Sequence, residues 1–247
     1  MKNIYHKYLR LPFEIQKPEY CNQEFDMIHQ RDLTVRHEGQ DEIANDTHAD
    51  HQMGDWLYSL GCEVLHSECF YTPPGQAIPI HTDDLRTWDD EGHVKINVTW
   101  GPPEGTIRWW KSDKTIAVRN IEEAWKYLTS DIVAGNATGT TLENMEKLRI
   151  AAGLDDFDVK ANDKTFSSAR NYSETPFNIA KEDDCDLAYE ANTNTPSLCN
   201  VGELHSTYNP TNYGRWTLCF VIGELGLGNN VSWSKALEIF EDHLVES

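Results

Sequence analysis

The strongest constraint on this chain is a rhythm of short, alternating apolar segments cut by glycine and proline. Between Cys62 and Lys111 it reads CEVLHSECFYT, AIPIHTD, HVKINVTW and GTIRWWK, divided by Pro73-Pro74-Gly75, by the acidic run DDLRTWDDEG and by GPPEG. Strands this short, separated by turns of this kind, predict an antiparallel sandwich or barrel. In HVKINVTW, alternation puts Val94, Ile96, Val98 and Trp100 on one face and Lys95, Asn97 and Thr99 on the other, so one face is core and the other is solvent or a polar cavity. Strand character returns in PSLCNVGELHST and RWTLCFVIG, and the Asn209, Pro210, Asn212 and Gly214 turn between them predicts a hairpin.

The flanks are different. Residues 1–47 are polar apart from an apolar entry at Tyr8, Leu9, Leu11, Phe13 and Ile15, read as an outer strand. A helix is expected from about Thr47 to Leu60, with Met53, Trp56, Leu57 and Leu60 on one face and Gly61 as its stop. Residues 112–196 break the strand rhythm. NIEEAWKYLTS and TLENMEKLRIAAGL have helical composition, so the whole stretch reads as a long insertion at the rim of the sheet. A terminal helix is expected in VSWSKALEIFEDHLVES, with Trp233, Ala236, Leu237 and Phe240 on its buried face. At 247 residues the chain fits one domain, with core strands at about 62–111 and 197–223.

Two segments offer a metal site. His81 and Asp83 leave the AIPI segment two residues apart, so alternation directs both to one side, and His205 lies in a strand-like segment far downstream. Two imidazoles and a carboxylate on one face of Fe(II) leave positions open for substrate and dioxygen. A second triplet, His48-Ala49-Asp50, sits at the start of the expected helix, where Asp50 is explained by the helix dipole. His66 and His93 rival His205, but only His205 precedes a turn whose return strand begins with Arg215. In that strand Arg215, Thr217, Cys219 and Val221 share a face, so a guanidinium and a hydroxyl enter the same cavity and suit a carboxylate. Glu203, two residues before His205, would share its inward face unless a bulge at Gly202 turns it away.

The stretches PPGQAIPIHTD, KINVTWGPPEGTIRWW and NVGELHSTYNPTNYGRWTLCFVI resemble the Fe(II)- and 2-oxoglutarate-dependent dioxygenase superfamily, with its H-x-D…H triad and downstream R-x-S/T motif. They look similar to its prolyl- and asparaginyl-hydroxylase-like members. The resemblance implies a mainly β, double-stranded β-helix (jelly-roll, cupin-like) core. It implies that His81, Asp83 and His205 bind iron and carry catalysis, that Arg215 and Thr217 hold the distal carboxylate of 2-oxoglutarate, and that Asn97 and Tyr71 line the same pocket. The implied reaction is hydroxylation of a small molecule or peptide side chain, with release of succinate and carbon dioxide. A non-catalytic cupin-like metal protein and a keto-acid-independent metalloenzyme are the competing classes, and neither requires an inward Arg215/Thr217 pair.

Composition narrows the partners. With 21 Lys and Arg against 41 Asp and Glu the formal charge is −20, which disfavours a phosphate-tracking surface and an acidic membrane. The six cysteines form no CxxC pair and indicate neither a zinc knuckle nor a disulfide framework. With no apolar leader at the start, a cytoplasmic protein is expected. Trp100, Trp109 and Trp110 read as core or as an apolar wall of the pocket, and Arg86 and Arg108 as contacts for an anionic substrate or as surface residues.

Overall fold

The computed structural model describes residues 3–26, 29–32, 48–83, 93–118, 127 and 177–245. Their elements run β1 (His6–Leu9), β2 (His29–Asp32), α1 (His48–Ser59), β3 (Cys62–Thr72), β4 (Val94–Trp100), β5 (Thr106–Lys111), β6 (Ile116–Val118), β7 (Phe177–Ile179), β8 (Asp186–Ala191), β9 (Ser197–Asn200), β10 (His205–Tyr208), β11 (Arg215–Glu224), α2 (Trp233–Ile239) and β12 (Leu244–Val245). The chain is mainly β, and each strand pairing described is antiparallel. A seven-stranded sheet has the order β12-β1-β9-β4-β11-β3-β2, a three-stranded sheet has the order β10-β5-β8, and β6 pairs with β7.

Alternation builds the layers. On β11, Trp216, Leu218, Phe220 and Ile222 join Val94, Ile96 and Val98 of β4 in one core, against Met53, Trp56 and Leu57 of α1 and Trp233, Ala236 and Phe240 of α2. Fully burying an aliphatic side chain such as Leu57 or Leu218 is worth about 1.5–3 kcal/mol, so this helix-covered face carries much of the fold's stability. Both helices stop and start as their sequences ask. Gly61 takes φ 76°, which ends α1, and the Ser232 hydroxyl accepts from the Lys235 amide at the head of α2. On the opposite face of the large sheet, Cys199 packs with Ile107 and Trp109 of β5 and Ala191 of β8, so the two sheets meet face to face.

Three expectations change. AIPI is no regular strand: its pairings are isolated bridges, Ala77 with Tyr208 and, just beyond it, His81 with His205 and with Ile179, and Pro79 has no amide to donate to a ladder. The turn at 209–214 joins no hairpin, because β10 belongs to the small sheet and β11 to the large one. It is a crossing between layers, held by the Asn209 side-chain amide, which donates to the Thr72, Pro73 and Tyr213 carbonyls. The stretch 112–196 is not purely an insertion, since β6, β7 and β8 lie within it and β8 completes the small sheet beside β5. Its sequence hides this because β8 is an edge strand with Leu187 exposed. The helices expected in NIEEAWKYLTS and TLENMEKLRIAAGL fall outside the described residues, apart from Tyr127, and so does Arg86. No helix among the described residues is long and apolar enough to cross a membrane.

Candidate metal and carboxylate site

Polar residues gather between the two sheets. His81 and His205 face each other across an antiparallel bridge, in which the His205 amide donates to the His81 carbonyl at 2.8 Å and the His81 amide returns the bond at 3.0 Å. Two residues on, the Asp83 amide donates to the Val201 carbonyl. These backbone bonds, more than strand periodicity, set the triad. One ligand atom from each of His81, Asp83 and His205 lies within 4.8 Å of the other two. The Asp83 Oδ1 atom is 3.4 Å from His81 Nε2 and 4.0 Å from His205 Nε2.

Both imidazoles are prepared in the same way. His81 Nδ1 lies 2.7 Å from the Pro79 carbonyl oxygen, and His205 Nδ1 lies 3.0 Å from that of Glu203. A carbonyl only accepts, so each Nδ1 carries the proton and each Nε2 presents a lone pair, the arrangement that orients a metal-binding histidine. Burial, helped by neighbouring His81, lowers the His205 pKa to about 3, so its ring is neutral at physiological pH. Asp83 shows the opposite behaviour. Burial alone would raise its carboxyl, but Lys95 above all, with His81 and His205, holds it well below the ordinary carboxylate range.

The face of β4 left undecided by sequence turns inward, towards the small sheet. Lys95, Asn97 and Thr99 are all buried, and they stand opposite Val221, Cys219 and Thr217 of β11. At the far end Arg215 is 1 % exposed. Its Nη2 donates to the Thr193 hydroxyl at 2.9 Å and its Nη1 to the Thr106 carbonyl at 3.3 Å, while the Thr99 hydroxyl bridges Thr193 at 2.7 Å and Thr217 at 3.1 Å. Among the described residues no carboxylate pairs with this guanidinium, and its Nε has no partner. The Asn97 Oδ1 and Thr207 Oγ1 atoms are likewise buried without one. The side chain runs through space kept clear by the GPPEG turn: a Cβ on Gly105 would lie 2.7 Å from Arg215 Cδ.

Among the sequence-derived candidates, His81, Asp83 and His205 come together, and Arg215, Thr217 and Asn97 share the face that meets them. Tyr71 does not join them. Its register partner is Trp216, so it stands on the helix-covered face, tilted against that ring at 5.2 Å, with Thr72 and Phe70 on the cavity side. Arg108 lies on the outer face of the small sheet, paired with Glu190 at 2.8 Å and lying over the Tyr208 ring. Trp109 is sheet-to-sheet core, and the Trp110 indole donates to Ser206. The strand alternation that would carry Glu203 inward is broken, because residues 201–204 cross from one sheet to the other. His48 and Asp50 lie in the first turn of α1. Sequence reasoning missed Glu68, Lys95 and Thr193. Alternation along HVKINVTW already put Lys95 beside Asn97, whereas nothing local marks Thr193.

No family model matches the chain, and no curated protein matches it. Two solved structures of EvdO2 from Micromonospora carbonacea var. aurantiaca, one complexed with 2-oxoglutarate, are similar at 11 % identity, with TM-scores of 0.29 and 0.28. The match covers 77 % of this chain and 66 % of theirs, just under two thirds of their length. At that level of superposition, strand pairing and side-chain geometry define the fold and the site.

Proposed function

We propose that the protein is an Fe(II)- and 2-oxoglutarate-dependent oxygenase with a single double-stranded β-helix domain, hydroxylating a small molecule or a peptide side chain. The observation that carries this reading is Arg215, a buried cation with no carboxylate partner among the described residues, on the sheet face that also holds Lys95, the ion-pair partner of Asp83. An isolated buried charge is costly, and an anion bound beside Arg215 would offset that cost. A purely structural metal site has no use for it.

The donor set fits a facial metal: two imidazole Nε2 atoms and one ionised carboxylate, with the rest of the coordination sphere left to exogenous ligands. Bound there, iron and the keto acid would supply the oxidation, and succinate and carbon dioxide would be released. The protein's own residues bind and orient. Arg215 pairs with the distal carboxylate of the co-substrate, and Thr217, Thr99 and Thr193 hold the guanidinium plane or share that carboxylate. Asn97 Oδ1 and Thr207 Oγ1 are further polar atoms available to ligands in the cavity. The packed Trp109 layer keeps bulk water from the rear. The chain's −20 charge favours a small or peptidic substrate over nucleic acid.

The test is anaerobic addition of Fe(II) and 2-oxoglutarate to the full chain. A visible metal-to-keto-acid charge-transfer band, absent with either component alone, supports the assignment, and its absence at saturating concentrations defeats it.

A further inference from the structure

The two oxygens of Asp83 have different surroundings. Oδ1 faces His81 and His205, 3.4 Å and 4.0 Å from their Nε2 atoms. Oδ2 is paired with the Lys95 ammonium at 2.6 Å, with His93 Nε2 further off at 3.9 Å, and Lys95 is itself tied to Glu68 Oε1 at 2.9 Å. Glu68 Oε2 lies 3.3 Å from His66 Nε2. Glu68 and Lys95 are 3 % and 6 % exposed, so this is an interior ion network, and a lysine there loses most of its hydration.

Placing a fixed ammonium beside a metal-binding carboxylate opposes the metal by simple Coulomb repulsion. A fold that wanted tight metal binding alone would do better with an apolar side chain at this position. The cost makes sense if the carboxylate must bind through one oxygen only. A free aspartate can chelate a divalent ion through both oxygens, which consumes a coordination position that a two-histidine, one-carboxylate site needs open.

We infer that Lys95, anchored by Glu68, is a positioning residue that occupies Asp83 Oδ2 and so presents Oδ1 alone to the metal. The inference rests on the metal-site reading above and adds to it a reason for the buried lysine. It also distinguishes Lys95 from Arg215: one acts on the metal's carboxylate ligand, the other on the co-substrate.

The test uses the full chain loaded with Mn(II) in the absence of keto acid, with inner-sphere waters counted by water-proton relaxation. Lys95→Met should bind Mn(II) at least as tightly as the wild type and hold one fewer water, because Oδ2 is released to chelate. Lys95→Arg, which keeps a cationic donor, should restore the wild-type count. An unchanged water count in Lys95→Met together with weakened 2-oxoglutarate binding would move Lys95 to the co-substrate and overturn the inference; weakened Mn(II) binding would overturn it as well. Should Lys95→Met fail to fold, the wild type still decides: the infrared separation of the 13C-aspartate carboxylate stretches on Mn(II) binding must be that of a monodentate ligand, and a bidentate signature rejects the role. Failure of the wild type to bind Mn(II) is a distinct result, which removes the metal-site reading and this role with it.

Discussion

Replacing Arg215 by methionine should separate stability from the proposed 2-oxoglutarate binding. Burial pushes the guanidinium down to about 10 from its ordinary value. At 1.36 kcal/mol per tenfold, that difference is about 3 kcal/mol spent on keeping the charge inside. In return the side chain has one well-formed hydrogen bond, to Thr193 at 2.9 Å, and longer contacts to Thr106 and Thr99 at 3.3 Å and 3.5 Å. Such bonds are worth about 1 kcal/mol each, and Thr99 and Thr193 still pair with each other when the guanidinium is gone. Methionine fills most of the same volume without the charge. The ligand-free Arg215→Met protein should therefore unfold in denaturant within about 1 kcal/mol of the wild type, or above it, although most substitutions at fully buried positions destabilise. Ligand binding should respond differently. Truncating a desolvated charge partner costs about 2–5 kcal/mol, so 2-oxoglutarate should bind the Mn(II)-loaded variant roughly 100-fold more weakly by calorimetry. 2-Oxopentanoate, which has a methyl group in place of the distal carboxylate, should bind the variant and the wild type alike, closing a cycle in which the coupling belongs to one pair. A loss of more than about 3 kcal/mol in ligand-free stability, or equal weakening of both keto acids, would refute the reasoning and make Arg215 a structural residue.

Other perturbations bear on the same geometry. Asp83→Ala should abolish tight Mn(II) binding, since it removes the oxygen between the two imidazoles and leaves Lys95 uncompensated on that side; a metal titration checks this, and unchanged affinity would place the metal elsewhere. Gly105→Ala puts a methyl group 2.7 Å from Arg215 Cδ, so 2-oxoglutarate should bind about 10-fold more weakly while Mn(II) affinity holds, as measured by titrating each ligand. His6, buried among Tyr8, Trp109 and Tyr189, has its pKa lowered from 6.5 to about 4, chiefly by burial and then by Lys7. The unfolded chain takes up that proton below about pH 6.5 and the folded chain does not, so stability falls as pH drops from 6.5 towards 4, by up to about 3 kcal/mol. His6→Phe should flatten that part of the denaturation profile, and an unchanged slope would assign the acid sensitivity elsewhere.

What the sequence determined by itself is local and periodic. A strand's two faces follow from its pleat, so Val94, Ile96 and Val98 were separable from Lys95, Asn97 and Thr99 without any partner in view, and the same holds for Arg215 and Thr217 against Trp216 and Leu218. The buried face of α1 and the turn chemistry of Gly61 and Asn209 were legible for the same reason. Tertiary structure alone decided which faces meet. The register of β3 against β11 sends Tyr71 to the helices and Glu68 to the face that carries Lys95, and a one-residue slip would have exchanged them. Pairing across sequence also placed β10 and β11 in different sheets, recruited β8 from a stretch that reads as an insertion, and brought Thr193 to Arg215. The triad itself closes through two backbone bonds between His81 and His205, contacts made between segments whose own patterns do not record each other. Local sterics write themselves into periodicity, whereas the partner of a buried charge such as Lys95 is chosen by long-range packing, which leaves no periodic trace.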